Sequence, residues 1–536
     1  MLDPKYVDAF QFAGQDIPWL LSHWAKNKPD HPFLIWEPKS GAGRQYTYAE
    51  FEREVANVAA GLAARGVTKG DKLLIHAENC PEAVLTWYAC ARLGAVGVTT
   101  NTRSAGAEIE YFAEHTGCVG AVTQPQFAKL VEANARKLRF IAVTEDNSGE
   151  AASAEERAHG LESFAALRGD GASLPARPAD PMAPAGIMFT SGTTSRPKAV
   201  VHTHANALWA SRMGPANIDM KTDDTYLVYL PFFHVNAQSW SFWTTIGAGG
   251  TVVLQPKFSA SRFWDVVVKH GVTHISLIPF VFKAIAGKPI PANKLKVGVF
   301  GLIMPELEKM LGIRVMAAWG MTETVIHATR NDWLQTYPVG SMGKPTPGYE
   351  FAIVDPDTGR PCAQGETGEL WIRGRRGIQL FLEYYDNAEA MKKSFTEDGW
   401  FKTGDRVVLG IEGNFFYKER DKDALKVGAE NVSAREVEDC CREVGGIADI
   451  AVVGRKHEML DQVPVAFVIR APGEKRSETE HAEAILANCR AKLAGFKVPR
   501  AVYFRDEFPT ATLEKVAKNK LREIADELPA PPEPKR

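Results

Sequence analysis

Strand-like apolar runs and amphipathic helical runs alternate along most of this chain, which limits it to a few architectures. The stretch TYAEFEREVANVAAGLAARG pairs Thr47 with Glu50 as a capping box. It places Phe51, Val55, Val58, Ala59 and Leu62 on one helical face, with Gly66 set to end the helix. DKLLIHA then reads as a buried strand, and PEAVLTWYACARLG as a helix with Pro81 in its first turn. The same order recurs in TVVLQP, SASRFWDVVVKHG and THISLIP. Strands separated by helices pack as parallel α/β layers.

At 536 residues the chain exceeds one typical core, so two or more domains are expected. Two stretches break the alternation. NSGEAASAEERAHGLESFAALRGDGASLPARPADPMAPAG is rich in Ala, Gly, Pro, Ser and charge and reads largely as a surface excursion, while the terminal ELPAPPEPKR reads as a disordered tail. From about Ile411 the chain turns to short, charged segments (GIEGNFFYKERDKDALKVGAENVS) before a compact β/α pattern. A boundary close to Lys422 gives a large N-terminal domain, 1–421, and a small C-terminal one, 422–536. No internal repeat is evident.

Composition narrows the function. With 45% apolar and 24% charged residues the chain is ordinary for a soluble globular protein. A formal net charge of -2 supplies no basic field for nucleic acid. No apolar run approaches the roughly 20 residues of a membrane span, and MLDPKYVDAF lacks an export signal. The seven cysteines are scattered apart from Cys440 and Cys441, and adjacent residues make poor disulfide or zinc partners. The expectation is a reduced, cytoplasmic protein with no cysteine-built metal site.

One segment, MFTSGTTSRPKAVVHTH, has the composition of a phosphate-binding loop. A Walker loop needs Gly, four residues, then Gly-Lys-Ser/Thr leading into a helix. Here Gly192 is followed by Thr-Thr-Ser-Arg-Pro-Lys, and no glycine stands beside Lys198. The AVVHTH that follows is strand-like, so the loop joins two strands. Turn N–H groups, several hydroxyls and one ammonium remain to hold anionic oxygens, with Pro197 stiffening the arm next to Lys198. On composition alone a plain polar hairpin fits as well.

The order of these residues resembles the signature loop of the adenylate-forming superfamily: acyl-CoA synthetases, aryl-CoA ligases, luciferases and peptide-synthetase adenylation domains. Further motifs follow in that family's order from about residue 17 to 525. LPFFHV resembles its acyl-pocket segment and AAWGMTET its adenine and metal motif. GELWIRG resembles a structural landmark, DGWFKTGD its ribose motif, YKERDKDALKVGAENVSAREVE its hinge, and FPTATLEKVAKNKLR its catalytic-lysine segment. The strings nearest to these belong to the crotonobetaine/carnitine-CoA ligase group.

The resemblance implies a large multi-subdomain α/β domain, a small mobile α+β domain, and ATP, Mg²⁺ and coenzyme A as reactants and cofactor. It places Thr190, Ser191, Gly192, Thr193, Thr194 and Lys198 on the phosphates. Trp319, Gly320, Met321 and Thr322 fall around the nucleotide, and Glu323 on Mg²⁺. Asp405 and Arg420 map to the ribose, Lys422 to the pivot and Lys515 to the catalytic lysine. Phe233, His234, Asn236 and Gln238 map to the acyl pocket, and Lys426, Gly428, Ala429 and Glu430 to the thiol loop. Thr190, His234 and Glu323 join Lys515 as candidate catalytic residues. A lone carboxylate suffices for Mg²⁺, which otherwise takes phosphate oxygens and water. Phe232, Phe233, Trp240 and Trp243 read equally as pocket wall or as core.

Three departures stand out. Leu513-Glu514 precedes Lys515 where the family has glycine, Gly428-Ala429 replaces a Gly-Gly pair, and VGVFGLIMPELEKMLGIRV lacks the usual Gly-Gly-Ala-Pro. Adenine-edge contacts are therefore assigned no further than Phe300 and Gly301. The function implied is carboxylate activation as acyl-AMP with loss of pyrophosphate, then thioester formation with CoA as the small domain rotates. Loading of a carrier protein, aryl-CoA ligation and a light-emitting oxygenase stay open. The partners implied are small molecules, with no nucleic acid and no membrane span; a homodimer is one assembly open to the chain.

Overall fold

The sequence alternation folds as its periodicity requires. The helix Tyr48–Ala64 starts at Thr47, whose hydroxyl accepts from the Glu50 N–H while Glu50 reaches back to the Thr47 N–H. It is followed by the strand Lys72–His76, the helix Pro81–Leu93 and the strand Val96–Thr99, which pairs in parallel with Lys72–His76. The computed structural model describes residues 5–190, 196–332, 335–356, 358–420, 424–428, 430–509 and 516–529. They fall into two compact units. One draws on Met1–Thr102, Ala113–Met188 and Ala199–Glu419, the other on Arg103–Phe112, Phe189–Lys198 and Arg420–Arg536.

The first unit contains two large, mostly parallel sheets. The seven-stranded sheet runs Arg314–Ala317, Val297–Phe300, His274–Ser276, Thr225–Val228, Thr251–Leu254, Pro32–Trp36 and Arg44–Thr47, with only the last strand antiparallel. The eight-stranded sheet runs Glu383–Tyr384, Lys198–Thr203, Pro184–Thr190, Val96–Thr99, Lys72–His76, Cys118–Thr123, Ile141–Val143 and Glu162–Ser163. A four-stranded sheet carries Glu350–Val354, Thr367–Arg373, Trp400–Leu409 and Phe415–Arg420.

Trp87 shows how helix and sheet close on each other. Gly97 and Gly186 are register partners on adjacent strands, and a Cβ there would lie 2.6 Å and 2.9 Å from the Trp87 ring. Two glycines thus open a seat for a fully buried indole, which also packs on Trp243 at 5.7 Å. Emptying such a seat typically costs about 3–5 kcal/mol.

The segment expected to be a surface excursion is built in more firmly than its composition suggests. Glu162–Ser163 adds the edge strand of the large sheet, and Phe164 and Leu167 are buried. The Leu167 carbonyl lies against Gly61, where a Cβ would come within 1.2 Å of it. Two apolar residues in a polar run are too weak a pattern to read, yet enough to anchor it.

The second unit is built on the strands Glu430–Ser433, Ala424–Val427, Asp461–Arg470, Ile447–His457 and Val502–Phe504. The helices Ala434–Arg442, Glu478–Lys492 and Lys518–Glu527 accompany them. The tail expected from Glu527 begins in order: Glu527 ends the helix Lys518–Glu527, and Arg455 donates to the Leu528 and Pro529 carbonyls. Residues beyond 529 lie outside the described ones.

Candidate active site

The loop of the signature segment joins the strand ending at Thr190 to the strand opening at Lys198, so the strand-to-strand reading holds. Ser191, Gly192, Thr193 and Thr194 lie outside the described residues, as do Lys422, Ala429, Lys515 and the side chain of Arg420. Four residues after Lys198, His202 is fully buried, and its Nε2–H donates to the Thr322 carbonyl at 2.8 Å. Burial holds the imidazole neutral, with its pKa lowered to about 4. The tautomer with hydrogen on Nε2 follows from the carbonyl it faces. His202 therefore ties the strand leaving the loop to the turn that carries Glu323.

That turn is tightly folded. Thr322–Thr324 forms a single 3₁₀ turn, and Val325 follows at φ 68, ψ -62, with Ile326 N–H donating to the Thr324 carbonyl at 2.7 Å. This is a γ-turn at a β-branched residue, a conformation costing on the order of 1–3 kcal/mol. Ser239 Oγ holds it by donating to the Val325 carbonyl at 2.6 Å. The loop closes where Ala328 and Thr329 N–H both reach the Trp319 carbonyl, at 2.9 Å and 3.1 Å. Glu323 is 4% exposed, and its Oε1 accepts the Tyr384 hydroxyl at 2.8 Å. Phe381 N–H donates to the Glu323 carbonyl at 2.9 Å. Tyr384 pairs with Val200, on the strand that also bears His202.

Trp319 and Asp405, 86 residues apart, meet here: the indole Nε1–H donates to Asp405 Oδ2 at 3.1 Å. Asp405 is 6% exposed and sits on the strand Trp400–Leu409. Its turn is fixed from the GELWIRG strand, where Glu369 Oε1 accepts from Gly404 N–H at 2.9 Å and Thr403 Oγ1 donates to the Leu370 carbonyl at 2.7 Å. Glu369 is thus more than a landmark. Phe300 and Gly301 close the Val297–Phe300 strand, the Phe300 carbonyl accepts Ala318 N–H at 2.8 Å, and a Cβ at Gly301 would meet nothing within 4 Å. The open side thus lies at the carboxyl ends of parallel strands, where α/β sheets bind ligands.

The acyl-pocket segment LPFFHV leads into a π-helix, Asn236–Trp243, which the sequence did not announce. Such widened turns concentrate at functional positions. It separates the aromatic residues that sequence left ambiguous. Phe232 packs on Phe242, and Trp243 on Trp87 and His202, so these are core. Trp240 instead faces His327 at 4.5 Å between ring centroids, and a Cβ on Gly320 would lie 2.8 Å from its Cζ2. Phe233 is 8% exposed and stacks obliquely on His234, while Asn236 and Gln238 fall on the π-helix with Gln238 fully buried.

In the second unit, the strands Ala424–Val427 and Glu430–Ser433 pair antiparallel, with Val427 opposite Glu430. Gly428, which follows Val427, has φ 67, a conformation that favours glycine. Lys426 is exposed and Glu430 buried.

Glu323 fits a Mg²⁺ ligand. Tyr384 occupies Oε1, whereas Oε2 makes no hydrogen bond to a described residue. Among the described residues no group of three or more His, Cys, Asp or Glu side chains is arranged to hold a metal. One carboxylate completed by phosphate oxygens and water is the Mg²⁺ pattern.

On this fold the Trp319–Asp405 contact and the Glu323 turn are in keeping with an adenylate-forming enzyme, and comparison with known proteins shows that class. The AMP-binding enzyme family matches residues 21–385, and the AMP-binding enzyme C-terminal domain matches 436–515. The chain belongs to that family. It is 33% identical over 529 residues to a crotonobetaine/carnitine–CoA ligase of Salmonella enteritidis, covering 95% of this chain and 99% of that one. An Escherichia coli protein of the same name is 33% identical over 506 residues, covering 91% and 95%. A double mutant of o-succinylbenzoate CoA synthetase from Bacillus subtilis, bound to a product analogue, superposes with TM-score 0.76 at 25% identity, covering 95% and 99%. A Mycobacterium tuberculosis fatty acyl CoA synthetase gives TM-score 0.67 at 27% identity, covering 95% and 98%. The protein is an AMP-forming acyl-CoA synthetase, an ATP-dependent ligase joining a carboxylic acid to coenzyme A. No helix among the described residues is long and apolar enough to cross a membrane.

Proposed function

We propose that the Trp319–Asp405 pair receives the adenosine and that the Glu323 turn faces the phosphates during formation of an acyl-adenylate. The observation that carries this reading is the meeting of Trp319 and Asp405 beside a carboxylate fixed by Tyr384. The chemistry is a displacement. A carboxylate oxygen of the acid attacks the α-phosphorus of ATP, and the bond to the β-phosphate oxygen breaks to release pyrophosphate. Two anions must meet, so fixed donors and positive charge at the departing phosphates lower the barrier. Mg²⁺ held by Glu323 supplies part of that charge when bound. Thr190 and Lys198 flank the loop from which hydroxyls, N–H groups and an ammonium would reach the phosphates. Asp405 is assigned to the ribose hydroxyls by motif, and Arg420 beside it.

Lys515, assigned by motif, bridges the acid and the α-phosphate in the first step. In the second step the CoA thiol attacks the acyl carbon and AMP leaves. We place the boundary between the domains at 421/422, with Lys422 as pivot, inside the gap between the family matches at 21–385 and 436–515. Rotation there would exchange Lys515 for the Lys426–Glu430 hairpin. The crotonobetaine and carnitine in the names of the 33% identical relatives make those acids the first to assay. All seven cysteines are free thiols, which supports a reducing, cytoplasmic location. A homodimer is the assembly to seek by light scattering.

Lys515→Ala tests the two-step reading. Pyrophosphate exchange should fall on the order of a hundredfold or more. Thioester formation from supplied acyl-adenylate should persist. Equal loss of both halves would overturn the assignment.

A further inference from the structure

Around the Glu323 turn, several polar side-chain atoms are buried with no hydrogen-bond partner. Both ring nitrogens of His327 are among them, together with Trp240 Nε1, Gln238 Oε1 and Asn236 Oδ1. His327 is fully buried and Trp240 is 8% exposed. Folded proteins leave few such groups, because each unmade hydrogen bond in an apolar setting is costly. Such groups occur elsewhere in the protein, as at His204, but here two of them sit on facing rings beside the Glu323 turn.

Their position says which occupant. His327 follows Ile326, which closes the γ-turn after Glu323, and precedes Ala328, whose N–H is bonded to the Trp319 carbonyl. Trp240 abuts Gly320, one residue from Trp319, and its neighbour Ser239 holds the γ-turn. The two rings therefore border the turn that carries Glu323, on the side of the π-helix rather than of Asp405. Burial keeps His327 neutral, with its pKa lowered to about 3, and no charged group contributes to that shift. A neutral imidazole offers one donor and one acceptor, and the indole a second donor. Neither ring carries a charge to pair with a charged ligand group.

We propose that His327 and Trp240 recognise an uncharged hydrogen-bonding group, a hydroxyl or carbonyl, carried by the acid that this ligase activates. The inference rests on the ligase reading above and sharpens it to a substrate class. An alkyl or quaternary ammonium group in the same place leaves the imidazole and indole unpaired. The site then discriminates against acids that lack the polar group more strongly than it favours those that have it.

The test is acid-dependent pyrophosphate release and acyl-CoA formation on matched pairs: hydroxybutyrate with butyrate, oxobutyrate with butyrate, hydroxybenzoate with benzoate, and carnitine with its deoxy analogue. The expected result is a kcat/KM at least about tenfold higher for the polar member of one pair or more. In His327→Phe that ratio collapses toward one, through loss of the polar acid and gain of the plain one. In His327→Gln, which keeps a donor and an acceptor, part of the ratio returns. Circular dichroism melting of each variant separates misfolding from altered choice. Equal turnover of both members of every pair, or a ratio unchanged in His327→Phe, means that buried water satisfies the rings and overturns the proposal while leaving the ligase reading intact. Pyrophosphate release with no acid at all would overturn both.

Discussion

Replacing Tyr384 by Phe removes one oxygen and little else. The side chain is 3% exposed, packed on Phe381 with centroids 4.7 Å apart, and its hydroxyl makes a 2.8 Å bond to Glu323 Oε1. Phe keeps the ring and its packing, so the perturbation falls on the carboxylate. A hydrogen bond to a charged acceptor is worth about 1.5–3 kcal/mol, more than a neutral pair, because donor and acceptor are matched in a site largely closed to water. Oε1 would then have no partner among the described residues, and the Glu323 side chain would lose the contact that fixes its direction. If the carboxylate must be pre-aimed for pyrophosphate to leave, that energy appears in the first half-reaction. At about 1.4 kcal/mol per factor of ten, adenylate formation should slow about ten- to a hundredfold, with the Mg²⁺ titration moved to higher concentration. Thioester formation from supplied acyl-adenylate involves no departing pyrophosphate and should keep its rate. Single-turnover measurements of the two halves decide it. If both halves slow together, Tyr384 merely supports the fold; if neither slows, Glu323 is not aimed by Tyr384.

Two further outcomes follow from the geometry. Gly320→Ala would push a methyl within 2.8 Å of Trp240 and 3.0 Å of the Ile326 carbonyl, one of them backbone, so pyrophosphate exchange should fall at least about tenfold with the far-UV spectrum unchanged; full activity would show that the turn has slack. Acid stability is the other. His76 and His202 are fully buried with pKa lowered to about 4 by desolvation, whereas the unfolded chain protonates them near 6.5. The unfolded state therefore binds more protons below that value, and stability falls as pH drops from about 6.5 to about 4, by roughly 3 kcal/mol per histidine. Urea midpoints measured across that range should slide downward, and less so in His76→Asn; a flat profile would refute neutral burial.

Much of this protein was legible before any coordinates. The capping box at Thr47, the stop at Gly66 and Pro81 in its first turn are local chemistry, and they appear where the residues put them. So does the strand on each side of the signature loop. The chemistry-bearing motifs could be put in order because residue order is a linear property. What sequence missed is what bridges distant segments. Tyr384, Glu369 and His202 drew no assigned role from sequence, since nothing linear records that their partners lie 61, 35 and 120 residues away. The π-helix was hidden for a related reason: its residues have no helical stripe of their own, and the conformation is held by contacts such as Ser239 to Val325.

The sequence alone pointed to the class of reaction, because its motifs resemble those of the adenylate-forming family and follow in that family's order. Tertiary structure decided how they are aimed. Val325 adopts φ 68 because its carbonyl is held by Ser239 and its neighbours are fixed by His202, Tyr384 and the closing bonds to Trp319. No local preference of a valine favours that conformation; only packing that over-determines it can. The same packing sets Trp240 against His327, with polar atoms on both rings left without a hydrogen-bond partner among the described residues.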